Sequence, residues 1–327
     1  MYQSELKNYV LIYNIDKQEK NIKNLNMANP VVNSLPAYVE QQRLPLIAKS
    51  VLGAKTASLI TLQTGVKGDT AVNLVSTDVE FGDGKACGWD AKGSTTLSQR
   101  IIKPAVLKVN ESFCDAALIG KWAQSQVKIA AGTQTLPFEE EFTMGVVDGV
   151  KASLEKMIWT GNSANSQSKI EFDGFLTIAN ADSSVKKVSI DAGTDAYAAI
   201  KKVYAAIPAE NFKGDCVIFV GSDLFRSYIQ SLVEANLYHF NPSDVAGEYM
   251  LPGTNVRVIG VDGLNGTNKI FSARLSEMFY GTDLEGDEEV FKLWYSDDNQ
   301  EFRLAIRAIA GVQYAFSDRV VLGTIAA

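Results

Sequence analysis

The chain has 327 residues, a formal net charge of −7 and 46% hydrophobic residues, which is ordinary for a globular protein. The acidic balance disfavours a nucleic-acid-binding surface, because such surfaces depend on clustered lysines and arginines that neutralise phosphates. No stretch of the sequence is long and apolar enough to cross a bilayer.

The cysteine and histidine content argues against metal sites and catalytic triads. Three widely spaced cysteines form no metal-type pair, and their odd number argues against a disulfide framework, so we expect a reducing compartment. His239 is the single histidine and would have to serve every imidazole-based scheme. Its place before Asn241-Pro242 favours a residue in the last turn of a helix, interacting with the helix dipole.

The first 65 residues fall into two parts. Residues 1–29 are rich in Lys, Asn, Gln and Ile and contain no glycine. They are either an extended arm that lies across a neighbour or a leader that the fold does not need. Residues 34–52 are predicted to be helical, with a break at Leu44-Pro45.

Residues 66–113 predict a long two-stranded ribbon. From Val75 to Phe81 apolar and polar residues alternate, and Gly82-Asp83-Gly84 is a strong turn signal. On the return, one parity is apolar, and Pro104 marks an edge or a bulge; its members are Leu97, Ile101, Ala105, Leu107 and Val109.

The apolar face of this ribbon has no third strand in the sequence to cover it. Isolated ribbons are marginal in water, so the face must dock, and a neighbouring subunit is the natural candidate. We expect contacts between subunits at and near the tip, from Phe81, Asp83, Gly84, Lys85 and Trp89.

A long helix is predicted over residues 138–160, with a length of roughly 35 Å at about 1.5 Å per residue. Three glutamates oppose the dipole in its first turn, and Gly161 ends it. Its apolar side chains recur every fourth residue and so lie on one face, which we expect to pack along the elongated sheet. They are Phe138, Phe142, Val146, Val150, Leu154 and Ile158.

The remaining segments predict a mixed α/β region followed by a long hairpin. Helices and strands alternate over residues 194–282, where Thr194 and Ser222 are expected to cap helices. After a turn at Asp297-Asp298-Asn299, alternation from Phe302 to Phe316 predicts a strand of about 15 residues, roughly 50 Å long.

No motif predicts catalysis. Gly221-Ser222-Asp223 lacks the second glycine of a nucleophile elbow, and no phosphate-binding loop is present. The acidic residues 283–289 lack the ligand spacing of an EF-hand, so a solvated loop is favoured, with weak cation binding left open. We therefore predict no catalytic, cofactor-binding or metal-binding residues, and no cofactor.

The order of these parts resembles the HK97-type major capsid protein of tailed bacteriophages. In that family the spine helix commonly ends in aromatic-x-Gly, with apolar-Asp-Gly-apolar a short loop later. The stretches that carry the resemblance are 155–161 (Glu-Lys-Met-Ile-Trp-Thr-Gly), 172–175 (Phe-Asp-Gly-Phe) and 217–225 (Val-Ile-Phe-Val-Gly-Ser-Asp-Leu-Phe).

The resemblance implies an α+β, HK97-like capsid fold. Residues 1–65 would form the N-terminal arm and leading helix, and 66–113 the extended β-hairpin loop. The peripheral domain would comprise 114–193 and 283–327, with the spine helix 138–160 and an elongated β-sheet. Residues 194–282 would form the compact α/β axial domain.

The resemblance also implies a structural protein rather than an enzyme. It would self-assemble through hexamers and pentamers into an icosahedral virion shell that encloses double-stranded DNA without sequence-specific binding. Assembly would take place in the bacterial host cytoplasm, with portal, scaffold and decoration proteins as partners and no membrane. An encapsulin-like bacterial compartment is the alternative, and an α/β enzyme using residues 194–282 is a disfavoured third.

Overall fold

The computed structural model describes residues 30–81, 93–114, 120–121, 123–125, 127, 138–164, 171–237, 247–251, 253–283 and 290–326. The chain divides into two compact units. The first contains Met1–Ile47, Lys108–Asp148 and Val290–Ile306, and the second contains Ala48–Leu107, Gly149–Glu289 and Arg307–Ala327. The predicted arm and His239 lie outside the described residues.

The described residues combine helices and strands along the whole chain. The helices are α1 (Pro30–Gln41), α2 (Arg43–Leu52), α3 (Lys55–Leu59), α4 (Phe138–Thr160), α5 (Phe175–Ala181), α6 (Ala196–Ala206) and α7 (Ser222–Glu234). The strands are β1 (Thr61–Gln63), β2 (Thr70–Asp78), β3 (Ser94–Ile102), β4 (Ala105–Cys114), β5 (Lys186–Ile190), β6 (Cys216–Gly221), β7 (Glu248–Met250), β8 (Arg257–Val261), β9 (Lys269–Arg274), β10 (Met278–Thr282), β11 (Val290–Ser296), β12 (Glu301–Tyr314) and β13 (Val321–Ile325).

The long helix α4 begins and ends where the sequence predicts. Its last turn closes at Gly161, whose N–H donates to the Met157 carbonyl at 2.9 Å. The predicted stripe splits into a buried set (Phe138, Leu154 and Ile158) and a half-buried set (Phe142, Val146 and Val150). A second row, one residue further on, is also buried: Thr143, Val147, Glu155 and Trp159. The buried face is therefore wider than the sequence pattern predicts, and its packing along the sheet stays a prediction.

In the first unit, α1 lies against β11, which pairs with β12. The Ser34 hydroxyl donates to Glu139 Oε1 at 2.7 Å and so ties α1 to the first turn of α4. The Phe113 ring meets the Phe142 ring edge-on, with centroids 5.0 Å apart. Between β11 and β12 the chain turns at the predicted place, and Gln300 adopts a positive φ of 53° there.

The second unit contains a six-stranded sheet in the order β5-β13-β9-β6-β8-β7. Two of its pairings, β13 with β5 and β6 with β8, are parallel, whereas β9 runs antiparallel to both β13 and β6. Strand β6 is buried along its whole length, which explains its unbroken apolar sequence. Helices α6 and α7 pack beside this sheet and contribute Ile200, Val203, Tyr228 and Leu232 to its core.

The sheet does not coincide with residues 194–282. It takes β5 and β13 from outside that range, while β10, inside the range, pairs with β1 and β12. Strand β12 is 14 residues long and uninterrupted, close to the predicted length. The division into axial and peripheral domains stays a prediction.

Three local predictions need correction. The helix break falls at Gln42, and Pro45 sits in the first turn of α2, where its missing N–H costs nothing. Helix α6 starts after Asp195, so Thr194 does not cap it and instead donates to the Asp191 carbonyl. Ser222 is the first residue of α7, and its hydroxyl donates to Asp262 Oδ1 at 2.6 Å rather than capping the helix.

Candidate assembly surface

The prediction of one ribbon over residues 66–113 is wrong for its return strand beyond Pro104, because β4, which contains Ala105, Leu107 and Val109, pairs with β12. Strands β2 and β3 form the antiparallel ribbon. Their register runs without interruption from Thr70 opposite Ile102 to Asp78 opposite Ser94. A side-chain hydrogen bond of 2.8 Å from Gln99 to Asn73 joins the strands on one face. Pro104 lies in the break between β3 and β4, as expected of a residue that cannot donate to a ladder.

One face of the ribbon exposes a row of apolar side chains. Val75 and Leu97 lie directly opposite each other and are 58% and 76% exposed. Ile101, opposite Ala71 on the same face, is also exposed. Exposed apolar side chains gathered on one face mark a surface that a partner can cover, so this face suits a partner surface. We call this set, Val75, Leu97 and Ile101, the apolar ribbon face.

Of the predicted contact residues, one is described. Phe81 follows the end of β2 and is 97% exposed, and Val79 before it is also exposed. Asp83, Gly84, Lys85 and Trp89 lie outside the described residues. Val79 and Phe81 therefore continue the run of exposed apolar residues beyond the end of β2.

The other face of the ribbon is covered near the strand ends at Thr70 and Ile102, which we call the ribbon root. Val72, Leu74 and Ile102 are buried there in a small cluster with Val66 and Ala315. Phe279 and Phe316 pack against this cluster. The ribbon is therefore apolar on both faces, one covered within the second unit and one exposed, whereas the sequence pattern predicts a single apolar face.

Arg100 joins the ribbon root to other parts of the second unit through polar contacts. Its guanidinium donates to Asp182 Oδ2 at 3.0 Å and to Ser317 Oγ at 3.1 Å, and lies 4.6 Å from the centre of the Tyr314 ring. The Tyr314 hydroxyl donates to the same Asp182 oxygen at 3.2 Å. We call these four residues the Arg100 clasp.

Burial, charge and hydrogen bonding together determine the ionisation states of Asp182 and Tyr314 in the clasp. Burial alone would raise the pKa of Asp182, but hydrogen bonds from Ser184 N–H and Arg100, with the Arg100 charge, lower it on balance. Burial and the Asp182 charge raise the pKa of Tyr314. The clasp therefore holds a carboxylate and a neutral phenol at neutral pH.

The end of α4 brings together all three stretches that resemble the capsid family. The Trp159 ring lies 5.5 Å from the Phe175 ring and 5.0 Å from the Phe219 ring, measured between centroids. Gly174 N–H donates to the Gly161 carbonyl at 2.9 Å. A Cβ on Gly174 would lie 2.7 Å from the Trp159 carbonyl, so this close approach requires glycine.

Glu155 anchors the same helix end through a buried carboxylate. It accepts hydrogen bonds from the Thr56 N–H at 2.9 Å, from the Thr56 hydroxyl, and from Trp159 Nε1 at 3.3 Å. Burial raises the pKa of Glu155, although these hydrogen bonds oppose the rise. Glu155 therefore ties α4 to α3, close before the ribbon.

Sequence reasoning missed Glu155 and Arg100. Glu155 lies in the motif that carries the resemblance, but its partner Thr56 is 99 residues away. Arg100 is the single charged residue of β3, which was a usable signal because it interrupts an uncharged strand.

Other kinds of site are not found among the described residues. No group of three or more His, Cys, Asp and Glu side chains in this part of the chain could hold a metal ion. No helix there is both long and apolar enough to span a membrane. Cys114 and Cys216 are free, and burial raises the pKa of Cys216 to about 11.

Similarity to known proteins is found in structure rather than in sequence. No family model matches the sequence, and no curated protein does. A chain of the satellite phage P4 procapsid that includes the size-determination protein Sid aligns with a TM-score of 0.60 and 8% identity. The alignment covers 87% of this chain and 91% of the P4 chain.

Two further structures align at a TM-score of 0.53. A chain from Gordonia phage Cozz has 12% identity, with 83% of this chain and 86% of that chain covered. A chain from the capsid of an empty GTA particle has 10% identity, with 85% and 90% covered. At such low identities the likeness concerns the fold, and it confirms the predicted α+β, HK97-like capsid fold.

Proposed function

We propose that this chain is the major capsid protein of a tailed bacteriophage or prophage. It assembles through hexamers and pentamers into an icosahedral shell around double-stranded DNA. The observation that carries the proposal is the apolar ribbon face, exposed on a ribbon that belongs to a capsid fold. The partner that fits it is another copy of the same chain.

The energetics favour a role in association. Full burial of a Val or Leu side chain stabilises a contact by about 1.5–3 kcal/mol. An exposed Val75–Leu97 pair therefore contributes little to the free subunit and much to an interface. In a closed shell every copy makes the same contact, so a modest gain per subunit is repeated over the whole assembly.

The charge of the chain is compatible with a container for DNA. At a net charge of −7, a shell wall repels rather than binds phosphates, which limits sticking of the enclosed genome. This supports enclosure without sequence-specific binding. Scaffold, portal and decoration proteins are the partners such a shell would use, and the host cytoplasm is the place of assembly.

The test is assembly of purified protein, followed by negative-stain microscopy and size-exclusion chromatography. We expect closed particles from the wild type and their loss from the double variant Val75→Thr/Leu97→Thr. The matched control Val75→Ile/Leu97→Met keeps the apolar surface and should still assemble. Wild-type protein that stays monomeric under all conditions, or a threonine variant that assembles like the wild type, would contradict the proposal.

A cellular compartment with a cargo enzyme is the alternative use of such a fold. The content of particles isolated from the native host separates the two functions. Nuclease-protected double-stranded DNA supports the virion, and a co-purifying enzyme without DNA supports the compartment.

A further inference from the structure

The ribbon root contains an isolated charge. Within β2 and β3 the charged residues are Asp78, at the far end, and Arg100, near the root. Arg100 pairs with Val72, and the even-numbered positions of both strands face the docked cluster. A charged side chain is therefore placed beside a small apolar core, where it is partly buried.

The contacts of Arg100 come from two segments that are far apart in the sequence. Asp182 follows α5, Tyr314 ends β12, and Ser317 lies in the turn after it. Each contact uses a different property of the guanidinium: its charge, its forked N–H groups and its flat face. Such a set of contacts is satisfied in one orientation of the side chain.

Apolar docking alone does not fix the direction of the ribbon. The hydrophobic effect is non-directional, and the docked cluster contains few side chains. Hydrogen bonds to charged groups are strong and depend on geometry. The clasp, together with the 3.0 Å hydrogen bond from Gln313 to the Ile101 carbonyl, supplies the directional contacts at the root.

Small rotations at the root become large displacements further along. From Arg100 to Ser94 the ribbon extends roughly 20 Å, at about 3.4 Å per residue. A rotation of about 10° at the root would then move the far end of the paired strands by roughly 3.5 Å. Interface cores pack as densely as protein interiors and do not tolerate such an error.

We propose that Arg100 is the positioning residue of the ribbon, holding it through Asp182, Ser317 and Tyr314 at the angle that presents the apolar ribbon face to a neighbouring copy. This inference rests on the proposed shell function for its partner. The orientation of the ribbon in the free subunit does not depend on that function and can be measured by itself.

The first test measures ribbon orientation by pulsed electron resonance. Spin labels are placed at Thr77→Cys on β2 and Lys202→Cys on α6, in a background where Cys87 and Cys114 are replaced by serine. Cys216 is buried and stays unlabelled. We expect a narrow distance distribution in this parent and at least a twofold broader one after Arg100→Met.

Two variants separate positioning from a general loss of charge. Arg100→Lys keeps the charge but not the forked, flat group, so we expect partial restoration of the narrow distribution. Lys103→Met removes an exposed positive charge three residues away and should leave the distribution unchanged. An Arg100→Met distribution that superimposes on the parent would overturn the proposal.

Coupling to Asp182 provides a second readout. Asp182→Asn by itself should broaden the distance distribution. The distribution of the double variant Arg100→Met/Asp182→Asn should be no broader than that of Arg100→Met, because both substitutions remove the same contact. Additive broadening would show that the two residues act independently, against the clasp.

The yield of closed particles tests whether the orientation of the ribbon matters for assembly. We expect Arg100→Met to lower the yield of closed particles at least tenfold while the free subunit keeps its circular dichroism spectrum, and Lys103→Met to assemble normally. Wild-type yield from Arg100→Met would contradict the role in assembly. If the wild type itself forms no shells, the proposed function fails, and the distance measurements still decide the role of Arg100.

Discussion

Glu155 connects several parts of the fold through its buried side chain. Its carboxylate receives hydrogen bonds from α3 and from Trp159, and it lies where Gly263 passes close to its carbonyl. Trp159 Nε1 also donates to the Thr56 hydroxyl at 2.8 Å, which in turn donates to Glu155. The result is a short chain of hydrogen bonds inside an aromatic cluster, where an unpaired polar group would be costly.

The raised pKa of Glu155 predicts a specific pH dependence. Burial is the main cause, so the folded state binds the Glu155 proton more tightly than the unfolded chain, whose pKa is near the ordinary 4.5. The contribution of Glu155 to stability is therefore fully present below pH 4.5 and is lost as pH rises through the folded-state pKa. The free energy of unfolding of the wild type, relative to Glu155→Gln, should increase as pH falls from about 7 toward 4.5.

Urea unfolding of both proteins at several pH values measures this difference. The comparison removes the titration of all other groups, which the two proteins share. A difference that is constant with pH, or that falls on acidification, would contradict the predicted direction.

At the scale of the element, the glycines of α4 and of the loop beyond it have opposite roles. Gly145 lies in the helix with open space around it, since a Cβ added there would meet no atom within 4 Å, so glycine is not needed. Gly174 lies where backbone approaches backbone, against the carbonyls of Met157 and Trp159. An added methyl group is therefore accommodated at Gly145 and not at Gly174.

Two alanine substitutions test this contrast. Gly174→Ala should lower the free energy of unfolding by about 1–3 kcal/mol, because the new methyl group collides with backbone that must shift. Gly145→Ala should raise it by about 0.5–1 kcal/mol, because alanine loses less conformational freedom in a helix. Thermal or urea unfolding measures both, and equal effects of the two substitutions would count against the close approach at Gly174.

The helix was predictable because its signals are local. The four-residue apolar spacing, the three glutamates and Gly161 define α4 without reference to the rest of the chain. The predicted capping by Ser222 was wrong, because its hydroxyl instead donates to Asp262, 40 residues away, a contact that no local signal shows. The docked side of the ribbon was missed for the same reason, since Ala315 and Phe316 lie far along the sequence.

At the scale of the whole molecule, the fold could be predicted from the order of the helices and strands along the sequence. The long-range side-chain contacts could not be predicted from that order. Ribbon, long helix, α/β region and returning hairpin are each visible as periodicity or turn signals. The sites that tie them together depend on single pairs of residues, such as Thr56 with Glu155 and Arg100 with Asp182. Side-chain pairing at such distances has no local sequence signature.

Assembly should change the protection of the ribbon amides. In the free subunit, the strands beyond Leu74 pair only with each other among the described residues, and two-stranded ribbons open easily. In a shell, contact with a neighbour should slow their hydrogen exchange. We expect amides from Val75 to Asp78 to exchange at least tenfold more slowly in particles than in free subunits.

Strand β6 supplies the internal reference for this measurement. Its amides are buried in the six-stranded sheet and should exchange slowly in both states. Equal protection of the ribbon in subunits and particles would show that the ribbon is not covered on assembly.

The position of β13 delays completion of the six-stranded sheet until this strand has been synthesised. This strand lies between β5 and β9, so the six-stranded sheet stays divided until residues 321–325 have left the ribosome. A nascent chain that stops before Val321 exposes two unpaired strand edges, which chaperones and proteases recognise more readily than a closed sheet. Interrupted translation products would then be removed before they could join an assembly of complete chains.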